Sequence, residues 1–129
     1  MLDECKVAAF VATSDPEKAK EFYGGALGLK LLSEDEYAVV FDANGTTLRI
    51  QKVKEVAPHQ YTTLGWHVPD IESMVKRLSE RGVHFERYDF FQGQDDLGIM
   101  TFPNGAKVAW FKDPDGNLLS FDNTDDIPA

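Results

Sequence analysis

The sequence predicts an α+β fold of two βαβββ modules whose curved mixed sheets form a cup. Three observations carry that expectation. "FDANGTTLRI" (41–50) can be laid on "KDPDGNLLSF" (112–121), with Asp42 on Asp113, Asn44 on Asp115, Gly45 on Gly116, Leu48 on Leu119 and Ile50 on Phe121, all at one constant separation. "FVATSDPEKAKEFY" can be laid on "GWHVPDIESMVKRL", with Asp15 on Asp70. In each copy an alternating apolar run is followed by apolar residues at spacings of three and four, then by alternation again. The two separations differ because the second copy holds a longer loop, "DFFQGQDDLG".

Module one is expected over about 6–54, a linker over 55–60, module two over 61–123 and a tail over 124–129. Residues 6–13 read as a strand. "SDP" then supplies an N-cap at Asp15 with Pro16 just inside a helix. Ala19, Phe22, Tyr23 and Ala26 form its buried stripe, and the glycines around Leu27 end it. Strands follow at 29–33, 37–41 and 46–52, with "DANG" as a turn. The linker "VKEVAPHQ" carries Pro58. In module two, 62–68 is a strand, Asp70 caps a helix with the stripe Ile71, Met74, Val75 and Leu78, and Gly82 stops it. Strands are then expected at 83–88, 98–102, 107–111 and 117–122, with turns at "PNG" and "DPDG". In "DPDGN" the aspartates serve backbone amides, Pro114 fixes its dihedral and Gly116 takes the positive one. A calcium loop of the EF-hand kind needs alternating oxygen residues and a later Glu, which are absent.

A chain of 129 residues with 43% hydrophobic and 27% charged residues is in the range of an ordinary globular domain. The net charge of −9, with no dense run among its 13 basic residues, argues against nucleic acid as a partner. No stretch approaches the roughly 20 apolar residues that span a bilayer, so no membrane partner is expected. The start "MLDECKVAAF" lacks the marks of a signal peptide, and the cytoplasm is the expected address. A single cysteine, Cys5, reads as a small buried or half-buried thiol without activation.

"SDPEKAKEFYGGALGLKLL" and "WFKDPDGNLLSF" together resemble the vicinal oxygen chelate superfamily, which includes glyoxalases, bleomycin-resistance proteins and extradiol dioxygenases. The resemblance runs from about Val7 to Asp122. It implies that metal-binding members take one ligand from the first and one from the last strand of each unit, usually His or Glu. Carried onto this chain, those positions are Ala8, Arg49, Thr63 and Ser120. A methyl group, a guanidinium and two hydroxyls are not the imidazole, carboxylate or thiolate that a divalent ion wants. No metal and no cofactor are therefore expected. The resemblance also implies a homodimer, with modules paired within a chain or between chains.

Side chains alternate across a strand, so residues sharing parity with the four lost ligand positions should line the cup. Those are Ala8, Phe10 and Ala12; Thr47, Arg49 and Gln51; Thr63, Gly65 and His67; Leu118, Ser120 and Asp122. Arg49 either clamps a carboxylate or phosphate with two parallel bonds or pairs with an acidic neighbour. His67 with Asp122 is either an oriented acid–base pair or a satisfied polar contact. Phe90 and Phe91 either cover a ligand or meet a partner subunit; Trp66 is expected in the core, and either Trp110 or Phe111 faces inward. His59 and His84 read as surface residues. The first expected function is a metal-free protein binding a small anionic or aromatic molecule through Phe10, Arg49, Gln51, Thr63, His67, Leu118, Ser120 and Asp122. The second is a lyase, isomerase or dioxygenase, with His67 as its catalytic base or with a displaced metal.

Overall fold

The structure, a computed structural model, describes residues 1–124; the acidic tail at 125–129 lies outside them. The chain divides into two compact units, Met1–Pro58 with Asp113–Asn117, and His59–Lys112 with the segment that starts at Leu118.

In the first unit a short 3-10 turn, Leu2–Glu4, precedes strand β1 (Ala8–Thr13). Helix α1 (Pro16–Lys20) starts where expected: Asp15 caps it by accepting from the Lys18 amide at 3.2 Å, and Pro16 occupies its first turn. Glu21–Ala26 continues it as a π-helical turn. Ala19 and Tyr23 are its fully buried residues, and Phe22 and Ala26 are half-buried. Strands β2 (Lys30–Glu34), β3 (Ala38–Ala43) and β4 (Thr46–Lys52) complete a sheet ordered β1-β4-β3-β2, with β1 parallel to β4 and the remaining pairs antiparallel.

The second unit repeats this plan. Strand β5 (Leu64–His67) leads to helix α2 (Ile71–Glu80), capped by Asp70 accepting from the Ser73 amide at 3.2 Å. Ile71, Val75 and Leu78 are buried and Met74 half-buried, as the apolar spacing predicts. Strands β6 (Met100–Thr101), β7 (Lys107–Lys112) and β8 (Leu118–Asp122) give the order β5-β8-β7-β6, with β5 parallel to β8. Both units place the first strand parallel to the last, so the repeat read in the sequence is a repeat of topology.

Three expectations need correction. Residues 83–88 form no strand: Phe85 makes one isolated bridge to Phe111, and the Glu86 amide donates to the Trp110 carbonyl at 2.7 Å. The Gln94 side chain takes the backbone groups a ladder would use, accepting from the Tyr88 amide and donating to the Glu86 and Gly98 carbonyls. The strand expected over 98–102 shortens to Met100–Thr101, because the Phe102 amide turns back to the Ala106 carbonyl. Cys5 is exposed rather than buried, since it follows the terminal turn and precedes the first strand that has a core to meet.

Each sheet has a core face. In the first unit Val11, Thr13, Val39, Phe41, Leu48 and Ile50 are buried on it. In the second unit Ala109, Phe111, Leu119 and Phe121 are, with the half-buried Trp66 packing its ring against Phe111 and Phe121. Fully burying a Val, Leu, Ile or Phe side chain, as most of these are, is worth about 1.5–3 kcal/mol, so these faces contribute substantially to the stability of each unit.

Candidate functional site

The positions expected to line a cup lie on the sheet face opposite the core in each unit. Directly opposed residues share a face. In the first unit Ala8 opposes Thr47, Phe10 opposes Arg49 and Ala12 opposes Gln51, while Val40 flanks Arg49 on its other side. Ala8, Phe10, Thr47 and Gln51 are exposed and Arg49 and Ala12 half-exposed, whereas Val40 and Ala38 are buried. Phe10 keeps 49% of its surface in solvent, a large value for an aromatic in the middle of a strand.

Arg49 forms no hydrogen bond or ion pair among the described residues. The neighbouring lysines are engaged: Lys20 meets Glu17 and Glu34, and Lys52 meets Glu34 and the Asp35 carbonyl. Asp35 is pinned by its own turn, accepting from the Tyr37 and Ala38 amides, which hold its carboxyl below the ordinary value; Arg49 adds to this from a distance.

In the second unit Gly65 opposes Ser120 and His67 opposes Asp122. Thr63 donates its amide to the Leu118 carbonyl at 2.8 Å, which continues the same register. Thr63, Gly65 and His67 are exposed; Leu118 and Ser120 are buried. A Cβ at Gly65 would stand 3.0 Å from the Ser120 hydroxyl, so the absent side chain is what lets the two strands carry these residues side by side.

His67 Nδ1 lies 2.6 Å from Asp122 Oδ1, and the Thr124 hydroxyl donates to the same oxygen at 2.8 Å. Partial burial works to raise the Asp122 carboxyl, but the bonds from His67, from the Thr124 hydroxyl and from the Thr124 amide together hold it below its ordinary value. The carboxylate thus favours the tautomer with the proton on Nδ1.

Beside this pair, Trp110 opposes Ser120, so Trp110 shares the non-core face with it while Phe111 is buried in the core. Phe91 stacks on Trp110 with ring centroids 5.1 Å apart, and Tyr88 meets both rings edge-on. Phe90 stays largely exposed. His59 stacks on Tyr61, and His84 sits at the surface near Glu86.

The "DPDGN" turn does what its chemistry predicts. Asp113 accepts from the Asp115 and Asn117 amides, and Gly116 has φ +86°. Sequence reasoning missed where the turn goes. Asp113 also accepts from the Tyr23 hydroxyl at 2.6 Å, Asp115 accepts from the Thr13 hydroxyl and the Ser14 amide and hydroxyl, and Asn117 donates to the Ala12 carbonyl. The repeat alone held no signal for this, since among the described residues the side chains of "DANG" make only its internal bond from the Gly45 amide to Asp42.

The metal that the fold implies does not fit the residues present. Ala8 and Arg49 are diagonal neighbours on one face, as are Thr63 and Ser120 on the other, and none offers an anionic or imidazole donor. Among the described residues no group of three or more His, Cys, Asp or Glu is placed to hold an ion.

Residues 6–121 match the sequence model of the glyoxalase/bleomycin resistance protein/dioxygenase superfamily. A solved member of that superfamily from Sphaerobacter thermophilus is 25% identical, with 92% of this chain and 98% of that chain covered and a TM-score of 0.68. A glyoxalase/bleomycin resistance protein/dioxygenase from Alicyclobacillus acidocaldarius is 20% identical over 91% of this chain and 89% of that one, with a TM-score of 0.69. A lactoylglutathione lyase from Agrobacterium tumefaciens is 14% identical over 92% of both chains, with a TM-score of 0.70; likenesses this distant speak for the fold. With two βαβββ units of the same topology and a match that spans nearly the whole sequence, the chain belongs to the glyoxalase/bleomycin resistance protein/dioxygenase superfamily.

Proposed function

We propose that this member binds a small anionic or aromatic molecule on the non-core faces of its sheets and does so without a metal. The observation that carries the reading is Arg49: a guanidinium in mid-strand with no hydrogen bond or ion pair among the described residues, directly beside a half-exposed phenyl ring at Phe10. A guanidinium that no described carboxylate engages directly is available to a ligand, and its planar fork of donors suits a carboxylate or phosphate. Gln51 and Thr47 flank Arg49 along the strand and add neutral donors, while on the second unit's face Thr63 and Ser120 stand where the superfamily's His or Glu ligands are expected and Leu118 adds apolar surface. The protein's place is the cytoplasm and its state a homodimer. Light scattering should give twice the 14.4 kDa chain mass, and a single chain mass would defeat the homodimer.

The test is a panel of small anions and neutral aromatics followed by amide chemical shifts, together with metal analysis of protein purified without chelator. Saturable shifts on β1, β4, β5 or β8 with no stoichiometric metal support the reading. A stoichiometric transition metal, or a panel that moves nothing, defeats it.

A second reading, an enzyme using His67 as base, is favoured by the 2.6 Å contact of His67 with Asp122 and its buttress at Thr124. It predicts that His67→Ala abolishes a turnover that Arg49→Gln only weakens. Equal effects of the two variants count against it.

A further inference from the structure

We propose that the Arg49 face of the first unit selects a monocarboxylate with a flat apolar body over both a phosphate and a neutral molecule. The inference rests on the reading of this protein as a small-molecule binder and narrows its ligand class. Four features of the face lead to it.

The first is the supply of donors. Phosphate sites in proteins are usually completed by free backbone amides at helix N-termini or in concave turns. Arg49 is on β4, which is paired on both sides, to β1 and to β3, so its surrounding amides are committed to ladders. The guanidinium is left as the principal charged donor, and its two parallel N–H groups match the two oxygens of one carboxylate.

The second is the charge around it. Asp42 lies on the same face, opposite Thr47 and diagonal to Arg49, and Asp35 is near enough to sense the guanidinium. Among the described residues the next cation on this face is Lys30, which opposes Asp42 from β2. Two strand spacings, roughly 10 Å, separate β2 from β4, and the Asp42 carboxylate on β3 stands between the two cations. One positive charge flanked by carboxylates, in a chain of net charge −9, leaves the second charge of a phosphate monoester uncompensated.

The third is the apolar wall. Phe10 is the cross-strand neighbour of Arg49 and keeps 49% of its surface exposed, with only the small side chains of Ala8 and Ala12 two positions either side of it on its strand. A flat body can lie against that ring while its carboxylate reaches the guanidinium next to it. The fourth is the set of neutral polar ends, Thr47 and Gln51, which can bond the carboxylate's remaining lone pairs without adding charge.

The experiment uses the full chain and three probes of one shape: benzoate, benzamide and phenyl phosphate. Binding is followed by the shifts of the β1 and β4 amides and of the Arg49 Nε–H. Benzoate is expected to bind at least about tenfold more tightly than either analogue, the step that one charge-assisted bond supplies. Arg49→Gln should bring benzoate down to the benzamide level. Arg49→Lys, which keeps the charge and loses the fork, should fall between, and Phe10→Ala should weaken benzoate and benzamide by the same factor. Thermal melts confirm that each variant remains folded, as expected for side chains outside the core.

Phenyl phosphate or benzamide binding as tightly as benzoate overturns the inference and leaves the binding reading intact. Benzoate affinity unchanged in Arg49→Gln overturns it too. Probes that move neither sheet overturn the inference, and the wider anion and aromatic panel then decides whether the binding reading falls with it.

Discussion

Asp113 is a buried carboxylate for which the fold supplies four donors: the Tyr23 hydroxyl, the Asn117 side-chain amide and the backbone amides of Asp115 and Asn117. Burial raises its carboxyl above the ordinary value, and the bonds from Tyr23 and Asn117 pull it only part of the way back. Burial also pushes the Tyr23 hydroxyl up, with the Asp113 charge adding to it, so Tyr23 is a committed donor. Tyr23→Phe should cost about 1.5–3 kcal/mol at neutral pH, the range for a hydrogen bond to a charged group, read as a lower urea midpoint at unchanged slope. A carboxyl raised in the native state contributes stability that is complete below its unfolded value of about 3.9 and is lost as pH rises through the folded value. Removing the Tyr23 bond raises the folded value further, so the deficit should shrink toward acid; equal deficits at acidic and neutral pH would sink this account. Asp122 behaves in the opposite sense, its contribution being present above the unfolded value and lost as pH falls through a folded value held low. A carbon-detected titration should place its midpoint below about 3.9 in the native protein, and His67→Ala should move it upward. Of these residues, His67 and Asp122 were legible from strand parity, because facing is a local property. The bond from Tyr23 to Asp113 was not, because nothing local ties residues that far apart in sequence.

At the scale of elements, the helix starts were the most legible features. Asp15 and Asp70 each accept from the amide three residues on, as an N-cap Asp does wherever a strand hands over to a helix. Asp70→Ala should therefore destabilise the protein by about 1 kcal/mol, with the loss of amide protection confined to the first turn of α2; protection lost along the whole helix would point to another role for Asp70. The least legible element was the stretch 83–88, which has the alternation of a strand. Its fate is decided by Gln94, whose single side chain binds three backbone groups across the loop. A glutamine in a loop has no pattern that announces such a role. The core and non-core faces were readable from period-two alternation, whereas the stacking of Phe91 on Trp110 depends on the path of that same loop.

At the scale of the whole molecule, the two halves of the sequence are not the two units of the structure. The turn Asp113–Asn117 lies between strands of the second unit, yet it is counted with the first. Within that unit it closes the β1–α1 junction: Thr13 and Ser14 donate to Asp115, Asn117 donates to the Ala12 carbonyl, and Tyr23 donates to Asp113. A fragment ending at Pro58 keeps all of β1 to β4 and both helical segments but loses every one of these acceptors and donors. Its Tyr23 hydroxyl, fully buried in the intact chain, would be left without a partner, and leaving a buried donor unpaired costs about 1–3 kcal/mol. A 58-residue piece has little margin to absorb that, since domains of this size bury only about 60% of their unfolded surface. The fragment 1–58 should therefore show collapsed amide dispersion and no cooperative melt, whereas the intact chain should unfold in one transition with coincident fluorescence and far-ultraviolet signals. Adding the peptide 110–120 in trans should restore dispersion first in β1 and α1. A fragment that folds on its own, with a melt as sharp as that of the whole chain, would show that the turn is not required to complete the unit.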